Sequence, residues 1–396
     1  MTAEIPALSP IAQDQVQHDL RDLFRGAAKA ALELVLEEIV SEIVGAGRYA
    51  RAESRMDRRN GSYLRRLLTS MGTIDVRVPR SRENGAPTEV LGRYQRRTTE
   101  IDEAIVAAYV NGVSTRSMGE VTEALTDESV SRSTVSRVTK VLEERVEELR
   151  SQRLDEAVPY LYLDATFLDA RFARQVQNVC ALVAYGVGLD GKRRLLAVTV
   201  GPQESEDSWS ELLNQLIDRG LNGVQLVISD EHRGLINAVR KTLPEVKRQR
   251  CTVHFTRNVW KKAPKQLQKR VGGEVSKLFK AKSKAEAKKL LRGVLKRFSK
   301  QLPEAMACLA DGFKDATVFY DFPEAHWRRI RSTNTLERLH LEIKRRVKSV
   351  GAFPDRASAL RLVTAVATRA TSVWANRRYL DMSLLDEAEE VADQAA

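Results

Sequence analysis

Residues 159–169 read PYLYLDATFLD. Apart from Asp164 and Thr166 the stretch is apolar up to Leu168, rich in aromatic and branched residues, and opened by Pro159, the pattern of a short buried strand. Aspartate is depleted in strands and rarely buried without a partner, so Asp164 is a residue that packing alone does not explain. The next segments extend the same sheet. VQNVCALVAYGV (176–187) and RRLLAVTVG (193–201) flank Asp190-Gly191, a two-residue hairpin signal. ESEDSWSELLNQLIDRG (204–220) has helical character and stops at Gly220. VQLVIS (224–229) is a buried strand ending directly on Asp230, HRGLINAVRKTL (232–243) is a helix, and QRCTV (249–253) reads as a last short strand. The order strand, hairpin, helix, strand, helix, strand predicts an α/β fold. Its mixed sheet has three antiparallel strands followed by a crossover to parallel ones.

In open α/β sheets, ligand sites gather at the carboxyl ends of strands. Asp164 sits on the first strand and Asp230 at the end of the fourth. If those strands are neighbours, the two carboxylates repel and must shift their pKa values or share a cation, and oxygen-only ligation suits Mg²⁺. Asp230 is also placed to cap the helix after it. A third acid lies in RSTNTLERLHLEIKRR (331–346), where Leu336, Leu339, Ile343 and Val347 form the apolar stripe of a helix. Glu337 stands beside that stripe in the first turn. Asn334 with Glu337 three residues on fits a capping box. The helix dipole also keeps such a glutamate ionised, as a metal ligand must be. Lys344, seven residues further, shares the face of Glu337 and could meet a phosphate.

The whole chain has 396 residues, 43% of them apolar, enough for two to three domains with real cores. No run of about 18 apolar residues predicts a membrane span. The opening MTAEIPALSPIAQDQ lacks the basic start and apolar stretch of a secretory signal, and Cys180, Cys251 and Cys308 cannot form a disulfide framework. A reducing cytoplasm is therefore expected. Net charge +12 with a pI near 9.6 points to a polyanionic partner. Residues 257–300 carry sixteen Lys/Arg against Glu274 and Glu286, a local +14 that exceeds the net charge of the whole chain. A solubilising face normally intersperses acids, which are nearly absent here. Nucleic acid fits this segment better than a bilayer, because it has few large interfacial anchors.

Residues 14–45 read as one or two amphipathic helices. After them Asn60-Gly61 signals a turn, and Ile74, Val76 and Val78 alternate with polar residues as in a half-buried strand. Arginines around this small β-unit, among them Arg59 and Arg80, suit phosphate contacts. Residues 114–149 read as two helices joined by a short turn, with Ser131 or Ser133 capping the second, which presents Ser136, Arg137 and Lys140. That arrangement fits a helix-turn-helix reader and equally fits plain helical packing. The domain boundaries that follow are 1–98, helical with a basic β-unit for DNA binding and dimerisation; 99–155, helix-turn-helix-like; 156–256, the first part of the catalytic core; 257–330, a basic helical stretch; and 331–396, the C-terminal helices. The last of these ends in an acidic segment, LDEAEEVADQAA (385–396), expected to be frayed. No internal repeat or low-complexity segment stands out.

Other chemistries lack their parts. Cys251-Thr-Val-His254 falls short of the four ligands of a structural zinc site. There is no Gly-x-Ser-x-Gly elbow, and no G-x-x-x-x-G-K-[ST] loop for ATP.

Taken together, RRNGSYLRR (58–66), GTIDVRVPRSR (72–82), GVSTRSM (112–118), SRSTVSRV (131–138), YLDATF (162–167), VISDEHRGL (227–235), RCTVHFTRNV (250–259), RSTNTLERLHLEIKRR and GAFP (351–354) span nearly the whole chain. In them the sequence resembles the bacterial insertion-sequence transposases of the Mutator type. The resemblance implies an RNase H-like core with an all-helical insertion at 257–330. It also implies an acidic triad of Asp164, Asp230 and Glu337, spaced 66 and 107 residues apart, with Cys251 and His254 as the C-x-x-H element beside the site. His340 stands where relatives often carry Asn. The implied chemistry is phosphoryl transfer at DNA phosphodiesters with two Mg²⁺, for which Mn²⁺ can substitute, roughly 3.5–4 Å apart. In that scheme Asp164 bridges the metals, Asp230 holds one and Glu337 the other. The implied partner is double-stranded DNA, both element terminal inverted repeats and target, bound by at least a homodimer in a bacterial, nucleoid-associated setting. DNA contacts are expected from Arg59, Arg80, Ser136, Arg137, Arg257, Lys261, Lys262, Lys265 and Lys269. A metal-dependent nuclease without strand transfer and a non-catalytic DNA-binding regulator remain alternatives.

Overall fold

A computed structural model describes residues 10–172 and 175–385, so the acidic end from 386 onward lies outside the described residues. The chain divides into two compact units, one ending at Lys140 and the other beginning at Val141.

The N-terminal unit starts with a single long helix, α1 (Pro10–Val44), followed by the hairpin of β1 (Arg59–Thr69) and β2 (Gly72–Ser81). Ile74, Val76 and Val78 turn one face of β2 inward, where Leu36 of α1, Leu67 and Leu91 close a small core over them. Asn60-Gly61 does not make the expected turn. The chain reverses at Ser70-Met71, and Asn60-Gly61 forms a bulge within β1, where the pairing register shifts between Arg59 and Ser62. Gly61 has φ +70, and a bulge uses that left-handed conformation as readily as a turn does. Helices α2 (Thr99–Val110), α3 (Met118–Thr126) and α4 (Arg132–Val138) complete the unit. Ser131 caps α4 by accepting from the Thr134 N–H at 3.2 Å. The expected second helix is broken: α4 ends after seven residues in a 3₁₀ turn, Thr139–Val141, which takes Lys140 off its face.

The C-terminal unit opens with α5 (Leu142–Ser151) and is organised on a five-stranded sheet. Its strands are β3 (Tyr160–Phe172), β4 (Gln175–Val187), β5 (Arg193–Gly201), β6 (Leu226–Ser229) and β7 (Lys247–Arg250), in the order β5-β4-β3-β6-β7. β3, β4 and β5 pair antiparallel, then β6 and β7 join in parallel, the mixed sheet expected from the element order. Alternation along β3 separates its two faces. Leu161 and Leu163 enter a core with Trp209, Leu212 and Leu216 of α6 (Glu206–Asp218) and Leu235 and Val239 of α7 (Arg233–Thr242). Tyr160, Tyr162 and Asp164 lie on the opposite face. There Tyr162 stacks on Tyr185 at 4.2 Å, and the Tyr160 hydroxyl meets His326 Nδ1 at 2.7 Å.

Two strands depart from their expected bounds: β6 begins at Leu226, and β7 starts at Lys247 and stops at Arg250. The Cys251 N–H makes the last ladder bond, to Ser229 O at 2.7 Å, and the Thr252 N–H turns away to Arg331 O at 2.9 Å as the chain enters α8 (Thr252–Lys261). The lysine-rich stretch then folds as α9 (Lys265–Leu278) and α10 (Lys284–Phe298), followed by α11 (Pro303–Gly312), a 3₁₀ turn at Asp315–Asp321 and α12 (Glu324–Ile330). Helices α13 (Asn334–Lys348) and α14 (Arg356–Thr371) return the chain to the sheet, α13 against β3 and α14 against β3, β4 and β5. Among the described residues no helix is long and apolar enough to cross a membrane.

Leu163→Ala, at a fully buried position, should cost about 2–5 kcal/mol in urea unfolding, as a large-to-small change in a packed core does. Phe167→Ala, four residues on with 47% exposure, should cost less than about 1.5 kcal/mol. Equal losses at both positions would mean that β3 is not the buried centre of the sheet.

Candidate functional site

The parallel register of β3 and β6 brings the first two acids together. Tyr162 pairs with Ile228, and two residues beyond each stand Asp164 and Asp230. Asp164 is buried, 5% exposed, with Oδ1 accepting the Ala165 N–H at 3.1 Å. Burial pushes its carboxyl up to about 7. The charge of His254 opposes that shift, and those of Asp230 and Glu337 add to it. Asp230 does not cap α7, whose N-cap is His232; its Oδ1 accepts the His232 N–H at 3.1 Å and so shapes the loop ahead of the helix.

Glu337 arrives from α13. The expected capping box is absent: the helix begins at Asn334 after an N-cap Thr333 whose side chain makes no cap bond. The Thr333 N–H and hydroxyl both donate to Cys251 Sγ, each at 3.4 Å, which fixes the start of α13 to the end of β7. The Glu337 side chain is thereby free to face the site. Its Oε1 lies 3.2 Å from His254 Nε2 and 4.0 Å from Arg257. The Cys251 sulfur as an acceptor beside His254, reinforced by the charges of Asp164 and Glu337, raises the imidazole to about 9 against the pull of burial. His254 therefore carries the positive charge that three carboxylates require.

Two further groups belong to this site. His340, one turn along α13 from Glu337, is 7% exposed with Nδ1 at 3.5 Å from Asp164 Oδ2. Burial, with Lys344 and His254 adding their charges, lowers it to about 3 and keeps it neutral. The heptad-like spacing of Leu336, Leu339 and Ile343 masks His340 in the sequence, because it falls at the edge of the apolar stripe. Glu204, in the loop before α6, accepts from Trp209 Nε1 at 3.1 Å and lies 3.3 Å from His232. Its carboxyl is raised by burial and by Asp230. Nothing in its local sequence marks it.

The acids form an oxygen-only donor set, the kind that hard divalent ions such as Mg²⁺ prefer. Among the described residues, however, no three His, Cys, Asp or Glu side chains are gathered closely enough to hold an ion. Glu337 is engaged with His254 and would have to leave it to join the aspartates.

The other expected contact residues fall in several places. Lys344 is exposed on the Glu337 side of α13, and Lys261, Lys262, Lys265 and Lys269 are exposed where α8 gives way to α9. In the N-terminal unit Arg59 is bound to Glu37 at 2.6 Å and to Ser41 at 2.8 Å, a structural engagement. Arg80 lies over the Tyr63 ring at 5.5 Å with Arg65 at 5.4 Å, on the wall of a cavity of about 1050 Å³ that also presents Arg66, Arg82 and Arg93. Ser136 and Arg137 are exposed on α4.

Residues 2–377 match the family described as "Transposase, Mutator family". The chain is 35% identical over 372 residues to the transposase for insertion sequence element ISRM5 of Rhizobium meliloti, covering 94% of each chain. It is 34% identical over 375 residues to the transposase for IS256 in transposon Tn4001 of Staphylococcus aureus, covering 93% of this chain and 96% of that one. To the transposase for IS1081 of Mycobacterium tuberculosis it is 35% identical over 379 residues, covering 95% and 91%.

The raised carboxyl of Asp164 fixes the sign of a pH effect. Its folded pKa of about 7 exceeds the ordinary 3.8, so the folded state binds this proton more tightly than the unfolded chain does. Stability from that proton is present at low pH and lost as pH rises from about 4 through about 7. In EDTA, Asp164→Asn should therefore raise Tm at pH 8, each kcal/mol being about 2–4 °C, and leave it nearly unchanged at pH 4. Calorimetry at both pH values checks this, and a lower Tm at pH 8 would refute it.

Proposed function

The chain belongs to the Mutator family of transposases, and from that premise we propose that it cleaves and joins DNA strands at the ends of an insertion sequence by a metal-dependent mechanism. Asp164, Asp230 and Glu337 are its acidic triad, on an RNase H-like core. The observation that carries this reading is the adjacency of Asp164 and Asp230 across β3 and β6, with Glu337 in electrostatic reach of Asp164. A sheet of three antiparallel and two parallel strands, with Asp164 on its central strand and Asp230 just past the end of the neighbouring β6, supports the RNase H-like assignment.

Asp164, Asp230 and Glu337 would hold two Mg²⁺ ions, or Mn²⁺ in their place, whose chemistry when bound would be activation of a water or 3′-hydroxyl and neutralisation of charge on the leaving oxygen. The residues of the chain do the rest. Asp164 would help to hold both ions, Asp230 one and Glu337 the other. Protonated His254 holds Glu337 in place beforehand and offsets the repulsion among the carboxylates. Neutral His340 packs beside Asp164 and limits the space that its carboxylate can occupy. Arg257 and Lys344 are placed to meet a phosphate, and no covalent intermediate is required, because position and charge carry the catalysis. The terminal repeats are read by the N-terminal unit, whose Arg80, Tyr63 and Arg65 line a basic cavity and whose α4 exposes Ser136 and Arg137. Joining two ends implies at least a homodimer.

Asp164→Asn, Asp230→Asn and Glu337→Gln should each reduce strand cleavage at element ends in Mg²⁺ by a factor on the order of 10³ or more while leaving end binding intact, since neutral isosteres remove charge and keep shape. A gel assay with purified protein and labelled ends reads both, and wild-type cleavage by any one variant removes that residue from the triad. Cleavage without strand joining by the wild-type chain would point to a simple nuclease instead.

Lys261, Lys262, Lys265 and Lys269, changed together to Gln, should flatten the salt dependence of DNA binding by up to about four units, one for each phosphate no longer neutralised. The weakening should be equal for element ends and random DNA, because phosphate contacts carry no sequence information. An unchanged slope would leave this face merely solvated.

A further inference from the structure

At the N-terminal end of α13 two cavities adjoin. One, of about 530 Å³, opens between α12, α13 and the segment after α14; the other, of about 520 Å³, lies between α8, α9 and α12. Both are lined by Arg328, Ser332 and Asn334, so they form one trough that passes over the start of the Glu337 helix. Its charge is one-sided. The first cavity carries Arg193, Arg328, Arg329, Arg338, Arg377 and Arg378 against the single acid Glu342. Glu342 is already held by Arg345 at 3.0 Å and Arg346 at 2.8 Å, and these pull its carboxyl down to about 2. Asp381 pairs with Arg378. Among the described residues, Arg193, Arg328, Arg329, Arg338 and Arg377 have no carboxylate within ion-pair distance. The second cavity adds Arg257, Lys280 and Arg331.

The wall of the first cavity is also rigid. Trp374, Arg193, Tyr379 and Arg329 stack in alternation: Arg193 lies 4.4 Å from the Trp374 ring and 4.3 Å from that of Tyr379, and Arg329 lies 4.7 Å from Tyr379. Rings on both sides hold a guanidinium flat and keep its charge, while a carboxylate would neutralise it. The stack is tied to the β4–β5 turn, because Gly191 O accepts the N–H groups of Tyr379 at 2.7 Å and Leu380 at 3.2 Å. Gly191 has φ +72, and a Cβ there would stand 2.0 Å from Leu380 O, so the anchor needs glycine.

We propose that this trough holds the phosphodiester backbone of a single DNA strand as it passes the Glu337 end of the active site. This deepens the strand-cleaving reading above and rests on it. Preorganised guanidiniums in a groove with aromatic neighbours match the chemistry of single-strand binding sites. Cavities of about 530 and 520 Å³ have room for successive nucleotides of one strand. The trough is distinct from the exposed lysines of α8 and α9, which suit the outside of a duplex.

The experiment compares the full chain with Arg328→Gln/Arg338→Gln/Arg377→Gln and with the corresponding triple lysine variant. Binding is read in EDTA by fluorescence anisotropy with a labelled single-stranded oligonucleotide and the same sequence as duplex, across a salt series. The glutamine variant should bind the single strand on the order of ten- to a hundred-fold more weakly, with the salt slope reduced by about two units, roughly 0.7 for each arginine removed. The duplex should suffer less, the lysine variant should recover most of the affinity, and millimolar inorganic pyrophosphate should fail to displace the strand. An unchanged affinity and slope, an equal or larger loss for the duplex, a lysine variant as weak as the glutamine one, or full displacement by pyrophosphate would each overturn the proposal. Because binding is read without metal, such a result leaves the triad standing. A cleavage-dead Asp164→Asn chain that still binds the strand leaves the trough standing.

Discussion

The C-terminal unit is arranged around one costly placement, a carboxylate buried in the middle of a sheet. Desolvating an isolated charge costs more than most folds can bear, so a buried acid must be protonated, paired or given a cation. Asp164 has a second acid beside it across the β3–β6 pairing and a third in electrostatic reach, with one protonated imidazole to oppose them. That arrangement makes little sense for stability, and Leu or Val at position 164 would pack better. It suits the metal-dependent chemistry proposed above. The aromatic pairs on the same face of the sheet, Tyr162 on Tyr185 and Tyr185 against Trp374, keep the remaining surface dry and firm around the exception.

Positive charge is arranged in grades around these acids. Nearest is His254, whose charge is conditional on pH and on its carboxylate neighbours. Arg257 stands 4.0 Å from Glu337, and the guanidiniums of Arg193 and Arg329 are held by rings, so their charge is permanent and their direction fixed. Furthest out are the exposed lysines of α8 and α9, flexible point charges that follow a backbone without specifying its path.

Much of this unit was legible in the sequence, because its signals are local. Alternation, apolar runs and the Asp190-Gly191 turn give the strands and their order, and Asp164 stands out as an acid inside an apolar strand. The departures come from features that depend on tertiary context. Asn60-Gly61 carries the composition of a turn, yet the left-handed glycine it supplies is used in a bulge. Cys251 continues a strand pattern and still bonds to Ser229 in the ladder, yet the Thr252 N–H leaves the sheet for Arg331 O as a helix begins. The capping box at Asn334 fails because Thr333 is claimed by a cysteine 82 residues away. The contact of His340 with Asp164 and the arginine trough stayed hidden for the same reason. Their meaning lies in what faces them across the fold: Asp164 for the histidine, and for the arginines the rings of Trp374 and Tyr379.

Helix α13 shows how these parts are held to one geometry. An α-helix turns about 100° per residue, so Glu337 and Arg338 leave it in different directions with a fixed angle between them. Glu337 points to His254, and Arg338 lines the trough. One turn further on, His340 reaches back to Asp164, while its neighbour Leu341 is exposed. One rigid element thus sets the acid, its neutral neighbour and an arginine of the trough together. Sites built on regular elements hold such relations better than sites built on loops. The bonds from Thr333 to Cys251 then locate the start of that element against the end of β7, next to the strand that leads into Asp230. The short C-x-x-H stretch therefore acts as a joint: its cysteine sets where the third acid begins, and its histidine sets where that acid points.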